Sequence, residues 1–482
     1  MKRLRFQSVA AASLLLVLVA AAHASLRPRY GGTVRVLLHD RFTSLDPLGE
    51  DDHPAARDRV ASLLFETLTK IDTQGQVHPA LADSWRPDAS KRVWQFHLRL
   101  ATFQDGSLVT APDIVSSLTR MSQGWQVKAL DKQTVTIEVP APIPHMPQLL
   151  ALLRFAIVKR NADNTLLGTG PYRLTEWQPG ERAVLSANED YWGGRPYPDT
   201  IEFQLGASLR EQLLERQLGQ YSAAELLLDQ LRPLEQANQS IELSRPSDLL
   251  VLLFLQPDVQ TLGSRAARKP VDPRVRQALS YAINRTAINN VILQKRGITA
   301  SGILPQWLTG YEFLFPGGTN LERAKELRAE AAGLVIVTPI ALAYDFADPL
   351  AKLTAERIAV DAREAGIVVQ PYGEAHVGSK SGRTALNADA VLLRLRLESL
   401  EPAVALAAAL DDLGLSDPAS APLNASQLED VFQLEGKALQ NFRVVPVAHV
   451  SQAVWLNSTV HNWLEYPTGA WDLDQLWTEG GR

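Results

Sequence analysis

The sequence predicts an α/β chain of two or three domains. Three observations carry this. Helical and strand-like segments alternate along most of the chain, as in sheets covered by helices. Its 482 residues are two to three times the ~150 of an average domain. Its composition, 46% hydrophobic and 21% charged, is too apolar for a disordered protein.

The first 24 residues stand apart. Lys2, Arg3 and Arg5 precede Val9 to Ala22, which is apolar except for Ser13, and Ala22-His23-Ala24 offers small residues for cleavage. This is the layout of a secretory signal peptide over residues 1–24. The 14-residue apolar run is shorter than the ~20 residues that span a bilayer; the other reading is an uncleaved anchor. Cleavage would take the net charge from −5 to −8. Without cysteine, a secreted chain suits the bacterial periplasm better than a disulfide-dense extracellular role.

Beyond this segment the elements follow in order. Thr33 to Leu38 reads as a short buried strand after Gly31-Gly32, and Ser44-Leu45-Asp46-Pro47 as a turn. Arg59 to Thr69 has helical spacing. In Val93 to Leu100, Trp94, Phe96, Leu98 and Leu100 alternate with polar residues, the period of a half-buried strand. Thr110 with Asp113 three residues later marks a helix start, and Thr134 to Val139 is a strand. Tyr172–Trp177 and Ala183–Ala187 flank Gln178-Pro179-Gly180 as a hairpin. Leu209 to Leu228 reads as mostly helical and Leu249 to Leu255 as a strand. Asp272-Pro273 opens the clearest helix, with Val275, Ala278, Leu279, Ala282 and Ile283 on one stripe. Helices follow over Asn320–Ala332, Leu353–Ala365 and Ala403–Leu415, with a strand at Ile367–Val369. Val444 to Leu456 is strand-like and returns the chain to an earlier sheet.

Most catalytic signatures are missing. The nine histidines are scattered, with no two within four residues. There is no His-Glu-x-x-His, no Gly-x-Ser-x-Gly and no P-loop. Gly168-Thr169-Gly170 runs into Pro171, which lacks the N–H a phosphate loop uses. The absence of cysteine removes Cys–zinc and iron–sulfur sites. Without a long basic run, nucleic-acid binding is not supported. An enzyme is not expected.

Five segments in order then resemble one family, the extracellular solute-binding proteins of the oligopeptide/dipeptide/nickel class that serve ABC importers. They are Gly31–Val36 with Ser44–Pro47; Pro79–Trp85 with Trp94–Arg99; Phe103–Asp113; Gly168–Tyr172 through Asn188–Gly194; and Asp272–Arg285. The resemblance implies a two-lobed periplasmic binding protein fold with an extra small subdomain in the first lobe. Mapped here, residues 26–53, 168–255 and 445–482 form the first lobe, 54–167 the subdomain and 256–444 the second lobe. It implies a monomer that closes on a short peptide or similar solute and delivers it to a membrane permease, without cofactor. Nickel or haem binding occurs in the family, but these scattered histidines give no support for a metal site. The alternative is a non-transport receptor or scaffold on the same fold.

In peptide-binding members a carboxylate shortly before an acidic-Pro pair holds the peptide amine. Glu398, three residues before Glu401-Pro402, matches that position; it also reads as a solvated Glu at a strand end. Arg394 and Arg396 alternate on one strand, where they either meet ligand carboxylates or form its wet face. Asp52 and His53, in Glu50-Asp51-Asp52-His53, border the cleft or form an exposed acidic turn. The candidate ligand-binding residues are thus Glu398, Arg394, Arg396, Asp52 and His53.

Overall fold

A computed structural model describes residues 27–479, apart from 52, 122–123, 162, 207–219, 257–269, 313–317, 333–338 and 416–420. The signal-peptide expectation for 1–24 and the candidate Asp52 therefore lie outside the described residues.

Thr33–Leu38 is a central strand because apolar side chains leave it on both sides: Val34, Val36 and Leu38 enter one core and Leu37 another. It pairs in parallel with Thr200–Leu205 and Ala223–Leu226. Outside these lie the hairpin Tyr172–Gln178 with Arg182–Ala187 on one side, and Ala453–Leu456 with Ile241–Leu243 on the other, making a seven-stranded sheet. This is the first lobe. Helix Pro54–Leu64 packs Ala56, Val60, Ala61, Leu63 and Leu64 into its core. The Gly-Thr-Gly motif has its reason here. A Cβ on Gly168 would stand 1.8 Å from the Leu64 carbonyl oxygen and one on Gly170 2.4 Å from that of Leu63. Only glycine lets the two backbones approach this closely.

The second lobe is a six-stranded sheet in the order Gly297–Thr299, Val444–Val450, Asp248–Phe254, Ala390–Leu395, Ile340–Asp345, Val369–Glu374. Helices Pro273–Ala282 and Pro349–Glu364 pack against one face of it, and Pro402–Asp412 and Leu428–Leu439 against the other. The helix expected at Asp272-Pro273 is capped by the Asp272 side chain, which accepts from the Arg274 N–H at 2.8 Å.

Between them sits a small antiparallel sheet, Ala82–Pro87, Val93–Leu98, Thr134–Glu138 and Gln126–Ala129, covered by helix Ala111–Met121. Trp94, Phe96 and Leu98 are buried as their alternation requires, but Leu100 lies past the strand end and is exposed. Thr110 donates its backbone N–H and its hydroxyl to the Asp113 carboxylate at 2.9 and 2.6 Å, fixing the helix start.

Four expectations differ from what the structure shows. Asp248–Phe254, expected in the first lobe, is a strand of the second sheet, so the chain crosses between lobes at Ser244–Ser247. Every residue of this strand is buried, so nothing in its pattern assigns it to one sheet or the other. Val444–Leu456 divides into one strand in each sheet, crossing at Ser451-Gln452. Helix Pro54–Leu64, expected to open the subdomain, belongs to the first-lobe core. Ala223–Leu226 is a strand, not the end of a helix; its Ala-Ala-Glu-Leu sequence carries helix propensity that pairing on both sides overrides.

The two crossings run side by side. The Ser244 N–H donates to the Gln452 carbonyl at 3.1 Å, and the Gln452 N–H to the Ser244 hydroxyl at 2.8 Å. Two adjacent strands joining two rigid bodies are the construction of a hinge.

Candidate functional site

Parallel strands end together, and the residues just past their carboxyl ends face the crevice. In the first lobe this places His39 and Asp40 after Thr33–Leu38. In the second it places Asp345 at the end of Ile340–Asp345, and Arg394 and Arg396 at the end of the parallel Ala390–Leu395. These residues face each other across a cavity of about 520 Å³. Helix Pro54–Leu64 contributes Arg57, Asp58 and Arg59, the short helical turn Leu153–Phe155 contributes Arg154, and the C-terminal hairpin contributes Trp471 to Asp474.

Ion pairs that join the lobes dominate this cavity. Arg154, from the subdomain, donates to Glu398 at 2.5 Å and lies 3.1 Å from Asp411 and 3.5 Å from Asp412, all three on the second lobe. Burial alone would raise the Glu398 pKa. The guanidinium of Arg154, with Arg396 behind it, outweighs burial and holds Glu398 below the usual carboxylate range. Asp412 goes the other way: burial and the neighbouring Glu398 charge push it up to about 6. Arg396 reaches Asp58 on the first-lobe helix at 3.2 Å, and Asp58 also takes Arg57 at 2.8 Å. His53 stands between Asp40 of the first lobe at 3.8 Å and Asp345 of the second at 3.6 Å. Burial raises both of these carboxyls against the pull of the imidazole. The Ser381 N–H donates to Glu50 at 3.1 Å, another bond between lobes.

A second chain of contacts runs through the hinge. Arg59 pairs with Glu225 at 2.6 Å and also donates to the Gln452 side-chain oxygen. The Gln452 amide donates to both Asp248 oxygens at 3.0 and 2.9 Å, and Asp248 receives Arg394 at 3.0 Å. Despite burial, Arg59 holds the Glu225 carboxyl down at about 2. The helix of one lobe is thus tied to the strand end of the other through the crossing itself.

A third group belongs to the first lobe alone. Glu66 accepts from the Tyr191 hydroxyl at 2.9 Å and the Trp192 indole at 3.0 Å. Tyr466 donates to Asp472 at 3.0 Å. Burial, then repulsion from Asp472, then from Glu66, pushes Asp474 up to about 7 against the pull of Lys70.

Of the sequence candidates, Glu398, Arg394, Arg396 and His53 all line this one cavity. Neither arginine forms a bare wet face, since each is ion-paired. Sequence reading did not single out Arg154, Asp58, Glu66, Asp472 or Asp474. One local signal was present: in Trp471-Asp472-Leu473-Asp474 two buried apolar residues alternate with two half-buried carboxylates. Among the described residues no group of three or more His, Asp or Glu could hold a metal ion, and no helix is long and apolar enough to cross a membrane.

Known proteins resemble this chain in sequence and in fold. Residues 76–412 match the model of bacterial extracellular solute-binding proteins, family 5. The chain is 27% identical over 373 residues to the dipeptide-binding protein of Escherichia coli K12, covering 65% of this chain and 67% of that protein. It is 25% identical over 322 residues to the glutathione-binding protein GsiB of the same strain, covering 62% of this chain and 61% of the relative. Over the curated relatives it matches, the chain spans from about half to two thirds of their length. In fold it is similar to the Escherichia coli murein tripeptide binding protein MppA, with a TM-score of 0.79 at 19% identity, over 94% of this chain and 99% of that one.

Proposed function

The chain belongs to the bacterial extracellular solute-binding proteins of family 5, and from that membership we propose that it captures a small solute, a short peptide or a molecule of that size, and delivers it to the permease of an ABC importer in the periplasm, after removal of residues 1–24 as a signal peptide. The observation that carries this reading is the cavity of about 520 Å³ whose walls come from both lobes, with two strand crossings behind it. That volume lies in the range of small-molecule sites. Closing on a ligand removes it from water and strengthens every charge contact made to it. Recognition by the permease then reads a population shift toward the closed form, with no bond made or broken.

Glu398, Arg394, Arg396 and His53, together with Asp52, are the proposed contacts. For Glu398, Arg396 and Arg394 the role follows from their partners. Glu398 and Arg396 close the lobes through Arg154 and Asp58, and Arg394 links the second lobe to the hinge through Asp248 and Gln452. Relatives of this chain carry names such as dipeptide-binding protein and glutathione-binding protein, which supports a solute of peptide size. The test is a thermal-shift screen with mixed short peptides. Binding stabilises by RT ln(1 + [L]/Kd), about 2.7 kcal/mol at a hundredfold excess over Kd, so a ligand raises the unfolding temperature by several degrees.

One observation favours a second reading, a receptor that kept the fold without transport. The ion pairs Arg154–Glu398 and Arg396–Asp58 join the lobes directly through side chains of the chain itself. A flat screen, together with no small molecule retained from the native source, would select that reading.

A further inference from the structure

Of the two crossings between the lobes, the first is built to be stiff. It runs Ser244-Arg245-Pro246-Ser247. The Pro246 ring fixes its own φ and confines Arg245 before it to extended conformations. Ser244 is bound to the second crossing at Gln452, and the Ser247 N–H donates to the Val450 carbonyl at 3.1 Å, inside the second-lobe sheet. Arg245 and Pro246 lie between these two anchors, and one side chain packed in the second lobe meets both. The Trp307 indole N–H donates to the Pro246 carbonyl at 2.8 Å, and the Arg245 guanidinium carbon lies 5.2 Å from the centre of the Trp307 ring.

A second observation concerns what holds Trp307. It sits on the short helical turn Gln306–Thr309, which follows Pro305 and ends at Gly310 in the left-handed region, with φ 74°. Glu435, on helix Leu428–Leu439 and fully buried, grips both ends of that turn. One carboxylate oxygen accepts the Ile303 and Leu304 N–H groups, the latter at 3.0 Å, and the other accepts the Tyr311 hydroxyl at 2.6 Å. The Tyr311 ring meets Phe432 of the same helix edge-on, 5.1 Å between centres, and the Ile303 carbonyl oxygen lies 3.1 Å from His449 Nε2. Burying a carboxylate among neutral donors opposes folding; what this one secures is the position of Trp307.

We infer that Trp307 is the brace of the hinge: it pins Arg245-Pro246 to the second lobe, so that closure turns about Ser244 and Gln452, with Glu435 and Tyr311 as positioning residues that act through it. The inference rests on the reading of two lobes that close on a solute, and it says which side chain sets their pivot. A strut pinned at Pro246 carries the rotation in the few torsions at its first-lobe end. Freeing the Pro246 carbonyl spreads the rotation over the whole crossing, which lowers the barrier between open and closed forms without favouring either.

The test uses the full chain labelled at Asp190→Cys and Lys352→Cys, one exposed position on each lobe of a chain with no cysteine of its own. Single-molecule energy transfer then gives opening and closing rates without any solute. Trp307→Phe keeps a ring under Arg245 and removes the N–H; both rates rise about three- to tenfold, within the range of one neutral hydrogen bond. Tyr311→Phe, away from the crossing, loosens the turn and raises both rates by a smaller factor. The double variant moves no faster than Trp307→Phe alone, since Tyr311 acts through Trp307. Wild-type rates in Trp307→Phe overturn the inference even where its urea midpoint falls, because a merely structural contact moves stability and not lobe exchange. A change confined to one of the two rates also overturns it, since Trp307 is then a clasp of one form and not a pivot. Factors that multiply in the double variant overturn the positioning role of Tyr311. A wild-type chain with one unchanging transfer value overturns the lobe-closing reading itself, and the inference with it.

Discussion

Arg154→Met is the most informative single change, because it removes one charge from a junction between the subdomain and the second lobe. Arg154 and Glu398 are 22% and 16% exposed at their side chains, so the pair is partly shielded from water. Breaking a fully buried pair costs about 3–5 kcal/mol. Partial exposure and the flexible apolar replacement bring this nearer the about 1.5–3 kcal/mol of a hydrogen bond to a charged group. Glu398 then keeps only Arg396 and Arg57 as positive neighbours, and Lys380 still holds Asp411 at 2.7 Å, which keeps the cost within that range. Arg154 stands on the subdomain and its three carboxylates on the second lobe, where Val404 and Ala408 also pack into the subdomain core, so the loss falls on the junction between the two bodies more than on the folding of either. The open-to-closed ratio should rise by about 10- to 150-fold. The chain has no cysteine, so Asp190→Cys and Lys352→Cys place one fluorophore on each lobe with no background labelling. Energy transfer should fall in the Met variant without ligand, while the urea midpoint of each lobe moves little. Unchanged transfer, or a loss confined to the unfolding curve, would refute the view that this ion pair closes the cleft.

Three further outcomes follow from the same structure. Gly168→Ala drives a Cβ into the Leu64 carbonyl oxygen at 1.8 Å, a clash with backbone that no rotamer relieves; the first lobe should unfold several degrees earlier in calorimetry, and a wild-type transition would show that the contact is looser. Glu435, fully buried, is pushed up to about 7 by burial. Above pH 4.5 the unfolded chain gives up this proton first, so stability should fall as pH rises from about 4.5 to about 7, by at most about 3 kcal/mol. Glu435→Gln should remove that part of the slope in urea midpoints measured at pH 5 and pH 8, and an unaltered slope would remove Glu435 as its source. Gln452→Ala cuts the link between Arg59 and Asp248 at the crossing; it should weaken solute binding through a faster off-rate while leaving the on-rate near wild type, and a change confined to the on-rate would place the effect elsewhere.

Local chemistry was legible in the sequence, and long-range assembly was not. The helix at Asp272-Pro273 announces itself through its cap and stripe, and Trp94, Phe96 and Leu98 through period 2, because backbone geometry fixes both patterns within a few residues. Asp248–Phe254 carries no such mark. A strand covered on both faces loses its alternation, so the lobe crossing could not be placed. Ala223–Leu226 takes its strand form from two neighbouring strands rather than from its own residues. In the site, the run from Arg394 to Glu398 drew attention by its charges, and those charges do line the cavity. What they pair with lies far away: Arg154 is 244 residues from Glu398, and Asp58 is 338 from Arg396. Glu66, Asp472 and Asp474 are ordinary acids in sequence and gain meaning only from the wall they share.

Whether a guest occupies the space between the lobes can be read directly by native mass spectrometry of the chain purified from its own source without denaturation. The account predicts a single small-molecule adduct per chain, lost on unfolding and refolding, with a lower unfolding temperature once it is gone. A bare polypeptide mass, with the same unfolding temperature before and after refolding, would contradict it.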